Sequence, residues 1–315
     1  MLVVCYSQTG QLSSVVDRIV APLRAAGEDL RIAVHVEPLQ PQQAFPFPWP
    51  VLRFFDAFPE SAHLDPAPLR PLSLTGDEDF DLVIVSYQVW FLAPSQPVVA
   101  FLRSPTGRRL LAGKPVITVI ACRNMWLMAQ EKMKGLLQDL GARLIDNVVL
   151  TDTAPTLATL VTTPRWLLTG RRDAFLGLPP AGIPVTEIAR CERFGHALRD
   201  ALRDGRERGT APLLTGLQAV QANPRLLVSE RAGTRSFFVF GKLIRLAGGP
   251  GSLRRAPLVL AYIFFLLALI LTVVPLSLLV QALIRPLLGN FLAARKAYFE
   301  LPSGSGTERL PIYDR

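Results

Sequence analysis

Short apolar runs alternate with stretches of helical periodicity over residues 1–203. The runs predict five strands, at residues 2–6, 30–36, 81–86, 115–121 and 143–150. Apolar residues at helical spacing predict helices at residues 12–26, 125–140 and 185–202. Strands that are apolar throughout and alternate with helices are typical of a parallel sheet covered on both faces. The pattern therefore predicts an α/β fold with a doubly wound, five-stranded parallel sheet.

Two stretches interrupt this alternation. Residues 44–60 (AFPFPWPVLRFFDAFPE), the aromatic insertion, are rich in aromatic residues and proline, and residues 151–184 are rich in Thr, Pro and Gly. Pro46, Pro48 and Pro50 exclude a regular helix from the first half of the aromatic insertion. Residues 204–255 resemble a basic linker with short helices. We therefore expect one domain over residues 1–203, carrying two insertions and followed by C-terminal segments.

The most apolar part of the chain lies near its C-terminus. Residues 256–284 contain no charged residue, and Leu, Ile, Val and Phe occupy every helical face. Since about 20 apolar residues cross a bilayer, we expect membrane insertion, with a buried core helix as the alternative. A helix over this stretch would be about 43 Å long, against a hydrocarbon core of about 30 Å. A tilted single transmembrane span and a re-entrant hairpin both fit, and residues 285–315 form a tail.

The formal charge is +9, and basic residues crowd both sides of the apolar stretch. They are Arg235, Lys242, Arg245, Arg254 and Arg255 before it, and Arg285, Arg295 and Lys296 after it. Such residues bind anionic headgroups and favour the cytoplasmic side. We therefore expect the domain on the cytoplasmic side of the cell inner membrane, and the two basic flanks favour the hairpin.

Several other classes of protein are not expected. Nucleic acid is not an expected partner, because residues 1–203 carry no basic stripe with interleaved aromatic residues. Cys5, Cys122 and Cys191 form no CxxC pair, so neither a disulfide nor a metal site is expected. The first apolar run has only five residues, which is too short for a signal peptide.

Hydroxyl residues and a glycine follow the first predicted strand, in the hydroxyl loop (residues 7–13, SQTGQLS). The carboxyl end of a strand in such a sheet borders the ligand crevice. Backbone N–H groups and the positive end of the next helix bind phosphate there, and Ser7, Thr9 and Ser13 add neutral donors. Neither GxGxxG nor a lysine follows, which disfavours a dinucleotide or Walker-type site. Simple capping of the helix is the alternative.

The stretch YSQTGQLS resembles the phosphate loop of flavodoxins, which hold the phosphate of FMN with hydroxyls and amides and without a lysine. It departs from that loop at Gln11, where flavodoxins have Asn, and at Leu12, where they have Thr. Two aromatic-containing loops, residues 87–94 and 122–126, resemble the flavodoxin loops that contact the flavin ring. The resemblance implies a flavodoxin-like fold with FMN held by Ser7, Gln8, Thr9, Gly10, Gln11, Leu12, Ser13, Tyr87, Gln88, Trp90, Phe91, Cys122, Arg123, Asn124 and Trp126.

Residues of these loops admit two interpretations. Their aromatic side chains either sandwich an isoalloxazine ring or pack in the core. Arg123 either stabilises an anionic reduced flavin or forms a surface salt bridge. Cys122 more often serves as a small buried apolar residue than as a nucleophile. No catalytic residue is assigned.

The aromatic insertion places six aromatic residues among four prolines. Such side chains require burial, so they form a substrate lid, pack on the core or contact the membrane. Asp56, Glu60 and His63 are acid–base candidates nearby, although isolated groups of this kind are usually solvated.

The combination of YSQTGQL, FPFPWP…FFDAFPE and an extended C-terminus resembles the dialkylresorcinol biosynthesis family. Those proteins are regarded as condensing enzymes or as flavin-type aromatases that oxidise a dialkylcyclohexanedione to the resorcinol. The resemblance implies a membrane-anchored FMN oxidoreductase acting on a hydrophobic cyclic substrate, in contact with membrane lipid. NAD(P)H, a quinone and molecular oxygen are all open as electron partners, and a homodimer is also open. The alternatives are an electron-transfer or regulatory module at the membrane, and a flavin-free scaffold.

Overall fold

The computed structural model describes residues 1–314, with side chains outside residues 28, 273–275 and 277–288. Its strands are β1 (Leu2–Cys5), β2 (His35–Pro38), β3 (Val83–Trp90), β4 (Ala93–Pro94), β5 (Pro115–Cys122) and β6 (Arg143–Thr151). Its helices are α1 (Gln11–Ala25), α2 (Gly27–Leu30), α3 (Val51–Asp56), α4 (Phe58–Ala62), α5 (Gln96–Arg103), α6 (Pro105–Leu111), α7 (Leu127–Asp139), α8 (Thr156–Thr169), α9 (Val185–Ala189), α10 (Glu192–Arg203), α11 (Leu227–Leu246), α12 (Ala256–Glu300) and α13 (Leu310–Tyr313). Short 3-10 helices occur at Arg206–Arg208, Pro224–Leu226 and Leu253–Arg255.

Five strands form a parallel sheet in the order β2-β1-β3-β5-β6. In register, Leu2 of β1 lies beside His35 of β2 and Val83 of β3. This order is that of doubly wound, flavodoxin-like sheets, in which ligands bind where the strand order reverses beside β1 and β3. The predicted parallel sheet is confirmed. The two-residue β4, which pairs antiparallel with β3, was not predicted.

The sheet is covered on both faces. Leu2, Val3 and Val4 of β1 are all 0% exposed, although successive side chains of a strand point to opposite faces. Helices α1 and α10 pack together so closely that a Cβ added at Gly195 would lie 2.2 Å from the carbonyl oxygen of Ile19. Because helices cover both faces, the strands are mainly apolar, and this made them recognisable in the sequence.

Two elements differ most from the prediction, while the other boundaries shift by at most four residues. The second strand begins at His35 instead of residue 30, because α2 ends at Leu30 and Arg31 adopts a left-handed φ of 54°. The predicted helix at residues 185–202 is interrupted at Arg190 and Cys191, which separate α9 from α10. The other four predicted strands overlap β1, β3, β5 and β6.

Both insertions and the region after them contain helices. The proline-rich first half of the aromatic insertion is irregular, and α3 and α4 follow it. The Thr/Pro/Gly-rich insertion contains the 14-residue α8, and residues 204–255 contain the 20-residue α11. The latter is longer than the short helices predicted for a linker, because its apolar face packs on α4 and α7.

Residues beyond 203 also complete the edge of the sheet. Asp146 of β6 is 0% exposed and accepts hydrogen bonds from the N–H of Leu213 at 2.7 Å, the N–H of Leu214 at 3.2 Å and the hydroxyl of Ser303 at 2.6 Å. Burial raises the pKa of Asp146 to about 6. These bonds attach both the region after α10 and the C-terminal tail to the α/β body.

Helix α12 covers 45 residues, and both of its ends contact the α/β body. At its start, Arg255 is 0% exposed. Its guanidinium nitrogens lie 3.1 Å from a Glu60 carboxylate oxygen and 3.3 Å from an Asp56 carboxylate oxygen. At its end, a Glu300 carboxylate oxygen accepts the N–H of Ala222 at 3.1 Å. The predicted apolar stretch, 256–284, lies within this helix.

One helical stretch of the described residues, Leu253–Thr272, is long and apolar enough to span a membrane. Its mean hydropathy is 2.2, and 17% of it is buried. Length and composition alone identify this stretch, and the core helix of a globular protein can meet the same two criteria.

Candidate functional site

A cleft opens where β1, β3 and β5 end, at the place where the strand order predicts a ligand. Its volume is about 220 Å³. The residues that line it are Gln8, Thr9, Gln11, Phe47, Trp49, Phe54, Gln88, Val89, Trp90, Phe91, Ala121, Cys122, Arg123, Thr163, Trp166, Leu167, Gly182 and Ile183. The cleft therefore combines a polar end near the hydroxyl loop with a largely aromatic wall.

The structure brings eight of the fifteen predicted cofactor residues to this cleft. They are Gln8, Thr9, Gln11, Gln88, Trp90, Phe91, Cys122 and Arg123. The other seven, Ser7, Gly10, Leu12, Ser13, Tyr87, Asn124 and Trp126, stand beside or behind it. Leu12, Tyr87 and Trp126 belong to the hydrophobic core, and Ser13 is exposed. The Tyr87 hydroxyl donates to Gln130 at 2.6 Å, in the core.

The hydroxyl loop leaves the start of α1 free to bind an anion. Gly10, at the N-cap, has φ 82°, and no side chain among the described residues caps the helix. The N–H groups of the first turn of a helix have no partner inside the helix, and they carry its positive dipole end. The Ser7 hydroxyl is buried and, within residues 1–314, has no hydrogen-bond partner. An orphaned donor beside free N–H groups is the arrangement that a phosphate would satisfy.

Two glutamines connect the hydroxyl loop to its neighbours. The N–H of Gln8 donates to the Gln88 side-chain oxygen at 3.2 Å, and the Gln8 amide nitrogen donates to the Pro46 carbonyl at 2.8 Å. These bonds fix the first ring loop (residues 87–94) and the aromatic insertion against the end of β1. Side chains predicted to bind a cofactor therefore also shape the loops around it.

The Thr/Pro/Gly-rich insertion forms a wall of the cleft that sequence reasoning missed. Gln11 donates to the Ile183 carbonyl at 3.0 Å and accepts the Ile183 N–H at 3.2 Å. A Cβ added at Gly182 would lie 2.6 Å from Gln11 and 2.8 Å from Trp166, so only glycine fits there. The helical spacing of Leu160, Thr163 and Leu167 is the signal that could have revealed α8.

The aromatic insertion packs over the cleft. The Trp90 ring lies 4.8 Å from Phe45 and 5.8 Å from Trp49, and Trp49 is only 4% exposed. Phe58, at the other end of the insertion, is 0% exposed between α4, α11 and α12. A substrate lid, core packing and membrane contact were the three roles considered for this insertion. One end of the insertion covers the cleft, and the other end packs in a core.

The second ring loop (residues 122–126) is held from behind by α11. Glu230 is 0% exposed and accepts the N–H of Met128 at 2.8 Å, at the start of α7. Burial raises the pKa of Glu230 to about 7. Burial also raises the pKa of the Cys122 thiol, which disfavours a thiolate nucleophile. The Arg123 guanidinium donates to Asn124 at 3.1 Å, and burial lowers its pKa.

Two of the three other acid–base candidates face a second, larger cavity of about 520 Å³, which Trp49 also lines. Asp56 and Glu60 line it and pair with Arg255, and burial raises the pKa of Glu60. His63 stacks on Phe238, and burial lowers its pKa. The smaller cleft is the stronger candidate site, because it lies at the strand ends beside the uncapped start of α1. Within the described residues, no three His, Cys, Asp or Glu side chains could hold a metal.

No protein-family model matches the chain, and no curated protein matches it. Among solved structures, it is similar to a flavoprotein in complex with FMN from Lactobacillus acidophilus NCFM, with a TM-score of 0.38 and 12% identity over 47% of this chain and 91% of that chain. It is also similar to a proposed flavoprotein from Bacteroides eggerthii DSM 20697, with a TM-score of 0.35 and 15% identity over 48% of this chain and 88% of that chain. The strand order, and not these distant similarities, establishes the doubly wound fold.

Proposed function

We propose that this protein is an FMN-dependent oxidoreductase, attached to a membrane by α12, that acts on a hydrophobic cyclic substrate. The observation that carries the proposal is the uncapped start of α1 beside the orphaned Ser7 hydroxyl, at the polar end of an aromatic cleft. A ligand with a phosphate ester would place the phosphate at the polar end, and a planar ring would lie in the aromatic cleft. FMN contains both groups.

Each part of the cleft has a role toward such a cofactor. Ser7 and the N–H groups at the start of α1 would bind the phosphate without a cation. Trp90, Phe91 and Trp166 would hold the ring and exclude water from it. Bound FMN supplies hydride or single-electron transfer. Arg123, which is partly buried and paired with Asn124 instead of a carboxylate, offers a positive charge for an anionic reduced ring.

Both ends of α12 contact the α/β body. The Tyr262 hydroxyl lies 3.1 Å from the Ser236 hydroxyl, and a Glu300 carboxylate oxygen accepts the N–H of Ala222. A straight helix would separate Tyr262 from Glu300 by about 57 Å, at 1.5 Å per residue. The path through these side chains, α11 and the short turn before it spans at most about 53 Å, so α12 is continuous but not straight. Because both ends contact the same body, we propose that α12 meets the membrane from the side of the α/β body, which the basic flanks favour as the cytoplasmic side.

Oxidation of a dialkylcyclohexanedione to a dialkylresorcinol, which the sequence resemblance implies, is one reaction of this class. The cleft favours such a substrate over a polar one, because apolar side chains, six of them aromatic, form most of its wall. The electron partner stays open among NAD(P)H, a quinone and molecular oxygen.

An absorption spectrum of the detergent-purified full-length protein tests this function, followed by titration with FMN and with riboflavin. We expect a flavin spectrum, and binding of FMN at least about 100-fold tighter than riboflavin, because two or more charge-assisted hydrogen bonds hold the phosphate. Equal affinity for the two ligands would contradict the phosphate site. If excess FMN produced no spectral change, the protein would not bind FMN and the proposed oxidoreductase function would be wrong.

A further inference from the structure

Aromatic rings continue out of the cleft toward α12 without a break. Successive centroid distances are 4.8 Å for Phe54–Phe91, 5.8 Å for Phe91–Phe58, 4.5 Å for Phe58–Tyr262, 4.7 Å for Tyr262–Phe240 and 4.8 Å for Phe240–Phe265. We call these six side chains the aromatic seam. It begins in the wall of the cleft, passes between α4 and α11, and ends on the apolar part of α12.

The outer end of the seam reaches an exposed apolar surface. Phe265 is 42% exposed and its neighbour Phe264 is 67% exposed, both within the stretch of α12 that is apolar enough to span a membrane. The buried side chains around the middle of the seam, such as Ala62, Leu92 and Val259, are apolar. The seam is therefore an apolar connection between the cleft and the surface that our proposed function places in lipid.

Phe91 occupies the inner end of this connection. Its ring lines the cleft and also contacts Phe237 of α11 at 5.4 Å. Phe91 and Leu92 have φ values of 50° and 59°, a left-handed conformation that is costly for residues with a Cβ. Strained backbone of this kind clusters at ligand clamps and switch regions. Met125 and Met128 pack on the same cluster, and their flexible side chains can adapt to a moving neighbour.

We propose that ring compounds dissolved in the bilayer reach the cleft along the aromatic seam, and that Phe91 is the specificity-determining residue that admits them. This inference rests on the proposed function, which supplies both the flavin and the membrane. The cleft, at about 220 Å³, is smaller than usual ligand pockets of about 300–1,000 Å³, so a flavin ring and a second ring do not both fit without a wall moving. Phe91 forms the wall of the cleft on the side of α12, so it is the side chain that would move.

Reoxidation of the flavin by quinones tests this route. The full-length protein in vesicles is photoreduced and mixed with 1,4-benzoquinone or with 2-decyl-1,4-benzoquinone, and flavin absorbance is followed. The quinone gains two electrons and two protons and leaves as hydroquinone, while the reduced flavin returns to its oxidised form. We expect Phe91→Trp to lower the ratio of the decyl-quinone rate to the benzoquinone rate by about tenfold or more, because overpacking obstructs the seam, whereas any effect on the flavin itself changes both rates alike. Phe175→Ala, an exposed phenylalanine in the other insertion, is the control and should change neither rate.

A second measurement needs no flavin. Trp49, Trp90 and Trp166 line the cleft, so 1-bromo-4-decylbenzene delivered from vesicles should quench their fluorescence in the FMN-free protein. We expect Phe91→Trp to weaken this quenching and Phe91→Ala to preserve or strengthen it. If Phe91→Trp affects both quinones equally, or leaves quenching unchanged, the route is wrong. If the protein binds no FMN but shows the expected quenching pattern, the proposed function fails and the route stands.

Discussion

The helices that follow β1 and β5 begin in opposite ways. Helix α1 begins at Gly10, with no capping side chain among the residues described and with the Ser7 hydroxyl left unbonded beside it. The start of α7 likewise has no cap from its own loop, but Glu230 of α11 bonds to the N–H of Met128. One helix start is available to a ligand, and the other is already occupied by a carboxylate of the same chain.

This difference separates binding from support. Free N–H groups at a helix start attract an anion, whereas groups that already bond to a buried carboxylate fix the backbone. The hydroxyl loop can therefore bind phosphate, while the second ring loop serves as a fixed platform whose position depends on α11. Since α11 also packs against α12, the C-terminal segment and the cleft are structurally linked.

Removing the charge of Glu230 should give the largest effect. Its pKa is about 7 in the folded protein and near 4.5 when unperturbed, so its contribution to stability is fully present below pH 4.5 and is lost as pH rises through 7. The shift corresponds to about 3 kcal/mol. Glu230→Gln keeps an acceptor for the Met128 N–H, so we expect it to flatten the fall in unfolding free energy between about pH 4.5 and 7. Urea unfolding at several pH values, followed by tryptophan fluorescence, measures this.

Asp146 provides the comparison for that experiment. Its pKa is also raised, to about 6, so a fall in stability with rising pH should persist in Glu230→Gln at lower pH, between about 4 and 6. If the variant kept the full wild-type slope between pH 6 and 7, above the range of Asp146, Glu230 would not be the group that titrates there.

Removing the Ser7 hydroxyl beside the start of α1 should have the next largest effect, a loss of affinity for FMN. Hydrogen bonds to charged groups contribute about 1.5–3 kcal/mol, so Ser7→Ala should weaken FMN binding by about tenfold or more and leave riboflavin binding unchanged. Fluorescence titration with both ligands measures the difference. Ser14→Ala is the matched control, because the exposed Ser14 hydroxyl already donates to the Gly10 carbonyl. Equal loss of both ligands in Ser7→Ala would place Ser7 away from the phosphate.

Straining the start of α1 should have the smallest effect. A Cβ at Gly10 would meet nothing within 4 Å. The only cost of Gly10→Ala is therefore the left-handed φ of 82°, which should lower the free energy of unfolding by about 1 kcal/mol. Gly141→Ala is the matched control. Gly141 has a φ of 69°, and a Cβ there would also meet nothing within 4 Å, but this residue lies away from the cleft. We expect similar losses of thermal stability in the two variants and a weaker affinity for FMN only in Gly10→Ala. A normal affinity in Gly10→Ala would show that this backbone conformation does not matter for binding.

Local signals made the sheet and half of the cleft predictable. The strands are mainly apolar because both faces are covered, and the hydroxyl loop lies directly after one of them. Trp166 and Ile183 could not be placed in the same way, because the insertion that carries them reaches the cleft through long-range bonds to Gln11. Glu230 was missed for a similar reason, since it is 102 residues from the N–H group that it caps.

By itself, the sequence determined the alternation of strands and helices, the loop rich in hydroxyls, the aromatic insertion and the apolar stretch near the C-terminus. These are local properties, set by the spacing and polarity of neighbouring residues. Only the tertiary structure decided which helix start stays free, which walls close the cleft and how Phe91 connects it to α12. Those depend on contacts between residues far apart in the chain, which packing and burial select and which no local pattern records.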